Sequence, residues 1–147
     1  MDFIYKSFNE LTNIELYKIL KLRCDVFVVE QNCPYHDIDD LDLVSKHLFV
    51  MDEDECIACL RLIPSNVEFE EASIGRVIVR KDRRGTDLGF KLVKKGIELL
   101  FNDMKEKEIL IEAQSYAIKF YEKCGFINLG HEHDLDNIKH VWMKITK

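Results

Sequence analysis

Ile74-Gly75-Arg76-Val77-Ile78-Val79-Arg80-Lys81-Asp82-Arg83-Arg84-Gly85-Thr86-Asp87-Leu88-Gly89 reads as a β-branched strand, a basic turn and the start of an apolar-periodic helix. A strand that passes through a glycine turn into a helix aims unpaired backbone N–H groups, and the positive end of the helix dipole, at whatever lies over the turn. Phosphate suits that arrangement. Residues 76 to 95 carry eight Lys or Arg against only Asp82 and Asp87, a net +6, whereas the whole chain is 21 basic against 27 acidic, or −6. The remainder is therefore −12. A basic patch on an acidic background disfavours nucleic acid and favours a small polyanion. The bland alternative is a solvated helix face that happens to be basic.

Working outward, the helix opened by this turn is expected from Asp87 to about Met104, with Leu88, Leu92, Gly96, Leu99 and Leu100 along one stripe and Lys91, Lys94, Lys95 and Glu98 opposite. Upstream, His47–Met51 and Cys56–Ile63 read as a hairpin around Asp52-Glu53-Asp54-Glu55, and Pro64-Ser65-Asn66 breaks its second strand. Between Tyr35 and Asp42 lie four aspartates and His36, too polar for a core; a loop with one helical turn is expected. Before it, Thr12-Asn13-Ile14-Glu15 matches a capping box, and Leu16, Ile19, Leu20, Cys24 and Phe27 give the buried stripe of a helix running to about residue 30. Residues 3–8 form a short first strand. Downstream, Ile109–Ala113 is a buried strand and Ser115–Cys124 a short helix ended by Gly125. Leu129–Leu135 and Val141–Ile145 flank the polar turn Asp136-Asn137 of a terminal hairpin.

A chain of 147 residues suits one domain spanning 1–147, long enough to bury about 70% of its extended surface. Its 47% hydrophobic and 33% charged residues exclude disordered and collagen-like classes. Met1–Lys6 has no apolar leader core and no stretch approaches a membrane span, so a cytoplasmic protein with no membrane partner is expected. Five irregularly spaced cysteines read as free thiols. Strands and helices mix without strict alternation, which indicates α+β.

Arg84-Gly85-Thr86-Asp87-Leu88-Gly89 resembles the acyl-coenzyme A pyrophosphate loop of the GNAT N-acetyltransferases, Arg/Gln-x-x-Gly-x-Gly/Ala, with Asp87 in place of the first patterned glycine. An acidic side chain there is placed to cap the helix itself. Ala113-Gln114 and Ala117–Phe126, with Phe120-Tyr121-Glu122-Lys123-Cys124-Gly125-Phe126, resemble the closing strand-to-helix segment of the same superfamily. Leu22-Arg23, Val26–Tyr35 and Asp37-Ile38-Asp39 look like its ElaA-like subgroup. The resemblance covers nearly the whole chain. It implies a mixed, mostly antiparallel GNAT sheet splayed between its fourth and fifth strands, with helices on both faces.

It also implies residues and roles. Val77, Ile78, Val79, Arg84, Gly85, Thr86, Asp87, Leu88, Gly89, Gln114 and Tyr121 would hold acetyl-CoA, and Tyr121 would be the acid that protonates the departing thiolate. Backbone N–H groups near Ile78 and Val79 would polarise the thioester carbonyl. For the general base, His47 and His140 match subgroup positions; Glu112 and a water relay are the alternatives. The acceptor pocket would draw on Arg23, Cys33, Tyr35, Asp37 and Asp39, whose acidic stretch would favour a cationic amine.

No nucleophile signature appears, which points to direct transfer from acetyl-CoA to an amine of a small molecule or peptide. A catalytically silent acyl-CoA-binding or protein-interaction module, with no need for Tyr121, is the competing reading. A nucleic-acid binder built on Arg80–Arg84 lacks aromatics interleaved in the basic run. Cys56-x-x-Cys59 is read as non-ligating, because residues three apart on a strand point to opposite faces. His131 and His133 share a strand face with no third ligand, so no metal is expected. Exposed sheet edges leave a homodimer open.

Overall fold

The computed structural model describes residues 2–147. Strand β1 (Asp2–Ser7) leads into helix α1 (Asn13–Arg23), whose Thr12 Oγ1 accepts from the Glu15 N–H while the Glu15 carboxylate accepts from the Thr12 N–H. The expected capping box is present. The helix continues as a π-helical stretch, Cys24–Glu30. Its buried face is Ile19, Leu22, Arg23 and Val26, and Cys24 is exposed. The expected stripe holds at Ile19 but shifts in the second half of the helix, where Leu22, Arg23 and Val26 are buried in place of Leu20, Cys24 and Phe27, because a basic residue, Arg23, takes a place on the buried line.

Strands β2 (Lys46–Asp52), β3 (Glu55–Ile63) and β4 (Ser73–Val79) join β1 in an antiparallel sheet of order β1-β2-β3-β4. Glu53 and Asp54 both have positive φ, 50° and 66°, the two-residue hairpin turn whose twist matches its strands. Short helix α2 (Leu41–Val44) precedes β2. One face of this sheet packs on α1 through Phe49, Cys59 and Ile78; the other packs on α3 (Leu88–Glu98) through Leu60, Leu62, Leu92 and Val93. Gly96 allows the second contact, since a Cβ there would lie 3.3 Å from Leu62 Cδ2.

The β2–β3 ladder slips after Val50, which pairs with Ala58 while Met51 pairs with Cys56. Ile57 is the extra residue of a bulge, so Cys56 and Cys59 end on the same face, against α1. The expectation of opposite faces fails for that reason. A second slip lies in β3–β4, where Arg61 pairs with Gly75 but Cys59 pairs with Ile78. Arg76 sits in it at φ 52°.

Strand β5 (Glu108–Gln114) touches β4 only at its base, where a parallel bridge joins Ala72 to Ile109 and the Leu110 N–H donates to Ala72 O at 2.9 Å. Beyond it the strands separate, β5 pairing with β8 (Ile138–Thr146) in the second sheet. This is the expected splay. Helix α4 (Ile118–Cys124) ends at Gly125, φ 112°. The other edge of β8 takes two pieces, β6 (Ile127–Asn128) and β7 (His133–Leu135), where one strand was expected. Gly130 and His131 at positive φ break it, and His131 therefore leaves the strand face it was read on. No helix among the described residues is long and apolar enough to cross a membrane.

Candidate active site

The splay opens a cleft of about 520 Å³, ordinary for a small-ligand site. One wall is the far end of β4. The Arg80 N–H donates to Ile57 O of β3 at 2.8 Å, so by strand alternation the N–H and C=O of Val79 point the other way, into the gap that β5 has left. Val77, Ile78 and Val79 all line the cleft. The facing wall carries Gln114 from β5 and Tyr121 from α4.

Tyr121 stands edge-on to Phe120 and Phe126, ring centroids 5.1 and 5.8 Å away. Burial pushes its phenol well above the ordinary range, so it stays protonated at neutral pH.

The cleft runs into a second hollow of about 480 Å³ over the turn before α3, the two sharing Val79, Arg84, Gly89 and Phe120. Gly85, Thr86 and Asp87 line this hollow, while Leu88 is buried beneath it. Gly85 has φ 79°, which a side chain would strain. Gly89 lets helix and strand close up, since a Cβ there would meet Val79 Cγ2 at 3.3 Å. Asp87, by contrast, has φ −91°, so no glycine is needed there. It also does not cap the helix. Thr86 Oγ1 accepts from the Leu88 N–H at 3.2 Å, and the Asp87 carboxylate pairs instead with Lys91 at 3.4 Å. Arg84 is fully engaged: its Nε donates to Val79 O, and Nη1 and Nη2 hold the Glu30 carboxylate at 2.6 and 3.1 Å.

The other end of the cleft is lined by Cys33, Tyr35, Arg61, Glu68, Arg76, Glu112 and His140. His140 is buried, and its Nδ1–H donates to Ile138 O at 2.7 Å, which leaves the lone pair of the neutral ring on Nε2. Glu112 is bonded to His133 Nε2 at 2.5 Å; that bond holds the His133 imidazole above its ordinary value, and the ring stacks on Trp142. Cys33 Sγ donates to Asp136 O at 3.4 Å across the cleft mouth.

Three expectations need correction. His47 is only 2% exposed, does not line the cleft, and donates from Nε2 to Asp42 O at 2.9 Å. Burial above all holds it below its ordinary value, so it is a neutral structural ring rather than a base in the cleft. The aspartate stretch is not a solvated loop, since Asp37 and Asp42 are 7% and 5% exposed. Arg23, 1% exposed, holds both, with Nε at 3.0 Å from Asp37 and Nη1 at 2.7 Å from Asp42. Arg61 holds Asp39 at 2.6 Å and Asp42 at 3.1 Å, and Arg76 Nε lies 2.8 Å from Asp37. Burial alone would raise the Asp42 and Asp39 carboxyls, but the arginine bonds and charges outweigh it and hold both below the usual carboxylate value. Arg23, Asp37 and Asp39 therefore lie behind the cleft wall, and Arg61, Arg76 and Glu68 are the lining residues that sequence reading missed.

No group of three or more His, Cys, Asp or Glu among the described residues forms a metal cluster. A model of the acetyltransferase (GNAT) domain matches residues 22–147. The chain is 39% identical to protein ElaA of Escherichia coli strain K12 over 137 residues, 92% of this chain and 90% of that one. The crystal structure of E. coli ElaA superposes with a TM-score of 0.91 at 37% identity, over 98% of this chain and 99% of that one. An acyl-CoA N-acyltransferase from Pseudomonas aeruginosa superposes with the same TM-score at 33% identity and the same coverage.

Proposed function

The chain belongs to the GNAT acetyltransferase family, an acyltransferase rather than a silent module, and on that footing we propose that its single domain moves an acetyl group from acetyl-CoA to an amine by direct attack. The observation that carries this reading is that the open side of β4, the Tyr121 phenol and the His140 imidazole all border one cavity, which continues over the glycine turn before α3. The phosphates of the coenzyme would sit over Arg84–Gly89, and Gln114 would border its arm. At the reacting end, the outward N–H of Val79 supports the charge that develops on the thioester oxygen. His140 Nε2 takes a proton from the acceptor ammonium, and the amine nitrogen attacks the carbonyl carbon. As the C–S bond breaks, Tyr121 gives its proton to sulfur; the attacking nitrogen sheds its second proton to solvent as the amide forms, solvent reprotonates the Tyr121 phenolate, and His140 returns its proton to solvent. Glu112 is a poorer base, being already bonded to His133.

Thiol release from acetyl-CoA, followed with a panel of monoamines, polyamines, amino acids and peptide N-termini, tests the proposal. Amine-dependent release with an acetylated product is expected. Hydrolysis at a rate indifferent to every amine would defeat it.

A further inference from the structure

The aspartates read from sequence as a lure for a cationic acceptor are spent within the protein. Asp37, Asp39 and Asp42 are matched by Arg23, Arg61 and Arg76, so the lattice carries no net charge to attract one. What it does instead is hold Arg76. This side chain is anchored by Nη2, which donates to Asp37 O (2.9 Å) and Asp39 Oδ2 (3.3 Å), and by an ion pair of Nε with Asp37 Oδ1 (2.8 Å) that lacks hydrogen-bond geometry, with its guanidinium carbon 5.4 Å from the centre of the Tyr35 ring. None of these contacts uses Nη1. The anchoring is costly, because Arg76 takes a left-handed φ of 52° inside a strand, a conformation that bulky residues hold only when their surroundings impose it. Its position is immediately before Val77 and Ile78, on the cleft wall where β4 and β5 part.

Beside it, Arg61 also lines the cleft, is 2% exposed, and has an Nε without a hydrogen-bond partner. The absence of a side chain at Gly75 keeps that place open, since a Cβ there would lie 3.6 Å from Arg61 Nε. The acidic residues lining the cleft are Glu30, Glu68, Glu112 and Asp136; Glu30 is taken by Arg84, and Asp136 sits at the mouth, where its backbone oxygen accepts from Cys33. Glu112 is taken by His133, whereas Glu68 has no ion pair among the described residues.

We infer that Arg76 binds an anionic group on the acceptor, so that the substrate is a zwitterionic amine of the amino-acid class, with its carboxylate on Arg76 and its ammonium toward Glu68. This rests on the proposal that the cleft transfers acetyl to an amine. A guanidinium held rigidly at its aspartate side keeps its other edge ordered for a carboxylate, and a charge-assisted pair of that kind discriminates strongly.

Matched pairs test it: phenylalanine against phenethylamine, leucine against isoamylamine, and histidine against histamine, each with acetyl-CoA and thiol release as the readout. Wild type should favour the carboxylate member of at least one pair by about tenfold or more in kcat/KM. Arg76→Gln should erase the preference chiefly through KM of the carboxylate member, and Arg76→Lys should restore part of it. Stabilisation by coenzyme A in both variants shows that they fold. Preference for the decarboxylated members, or a carboxylate preference surviving in Arg76→Gln, would overturn the inference while leaving amine transfer intact. Release with no member of any pair would count against the inference and, if the wider amine panel is also silent, against transfer to amines altogether.

Discussion

The two halves of the cleft are built in opposite ways. The half proposed for the coenzyme is, apart from Gln114 across the cleft, one contiguous stretch, Val77 to Gly89, where glycines and backbone orientation shape the surface and the polar side chains are exposed. The half proposed for the acceptor is lined by Tyr35, Arg61 and Arg76 and backed by Arg23, Asp37, Asp39 and Asp42, brought together from four separate parts of the chain and mostly buried. A coenzyme shared across a family can be held by local backbone geometry, while a wall that selects an acceptor needs charged side chains held rigid from behind. The first is tolerant of side-chain changes; the second is cooperative and brittle.

That contrast breaks most sharply at Asp42. Removing it leaves Arg23 and Arg61 short of their partner in a buried site, so Asp42→Ala should cost about 3–5 kcal/mol in chemical denaturation. Acid should act on the same lattice. Asp42 and Asp39 are held below the ordinary aspartate value of 3.8, so they contribute stability at higher pH that is lost as pH falls through their lowered folded values. His47, held below 6.5 by burial, adds an earlier loss as pH drops under 6.5, because only the unfolded ring then binds a proton. Melting temperature against pH should fall in those two windows, and a flat profile from pH 7 to 3 would contradict the lattice.

At the junction of the halves, Tyr121→Phe should lower kcat about a hundredfold while coenzyme affinity holds, when chemistry limits the rate. In the coenzyme half the effects are smaller. Coenzyme A at 100 times its Kd should stabilise the protein by roughly 2.7 kcal/mol, and Gly89→Val, which pushes the helix off Val79, should reduce that shift without unfolding the chain. The smallest effect has the opposite sign. Glu30 occupies both terminal nitrogens of Arg84, so Glu30→Gln should tighten coenzyme binding by a few-fold in a titration, the exposed pair being worth less than about 1 kcal/mol.

The same division decides what could be read from the sequence. Thr12 with Glu15, the turns at Glu53-Asp54 and Asp136-Asn137, and the strand-turn-helix at 74–89 depend on neighbours within a few residues, and they were legible. Cys56 and Cys59 were placed on opposite faces because an extra residue at Ile57 leaves no mark in a hydrophobic run. By sequence Asp37 and Asp42 look too polar for a core, because their arginine partner is 14 and 19 residues away, beyond any local pattern. Arg23 disguised the buried stripe of α1 for the same reason. His47 lies on a strand whose inward face follows from the hairpin, so its burial could have been inferred from alternation with Phe49. Arg61 and Arg76 had no signal beyond a positive charge beside Gly75 and within an apolar strand.

The central claim is that acetyl passes from coenzyme to amine while both occupy one cleft. Initial rates measured across a grid of acetyl-CoA and acceptor concentrations, with the intact mass of the protein recorded after incubation with acetyl-CoA alone, test it most directly. Intersecting double-reciprocal lines and an unmodified protein are predicted. Parallel lines, with an acetylated protein that hands its acetyl group to the amine in a second step, would contradict the account.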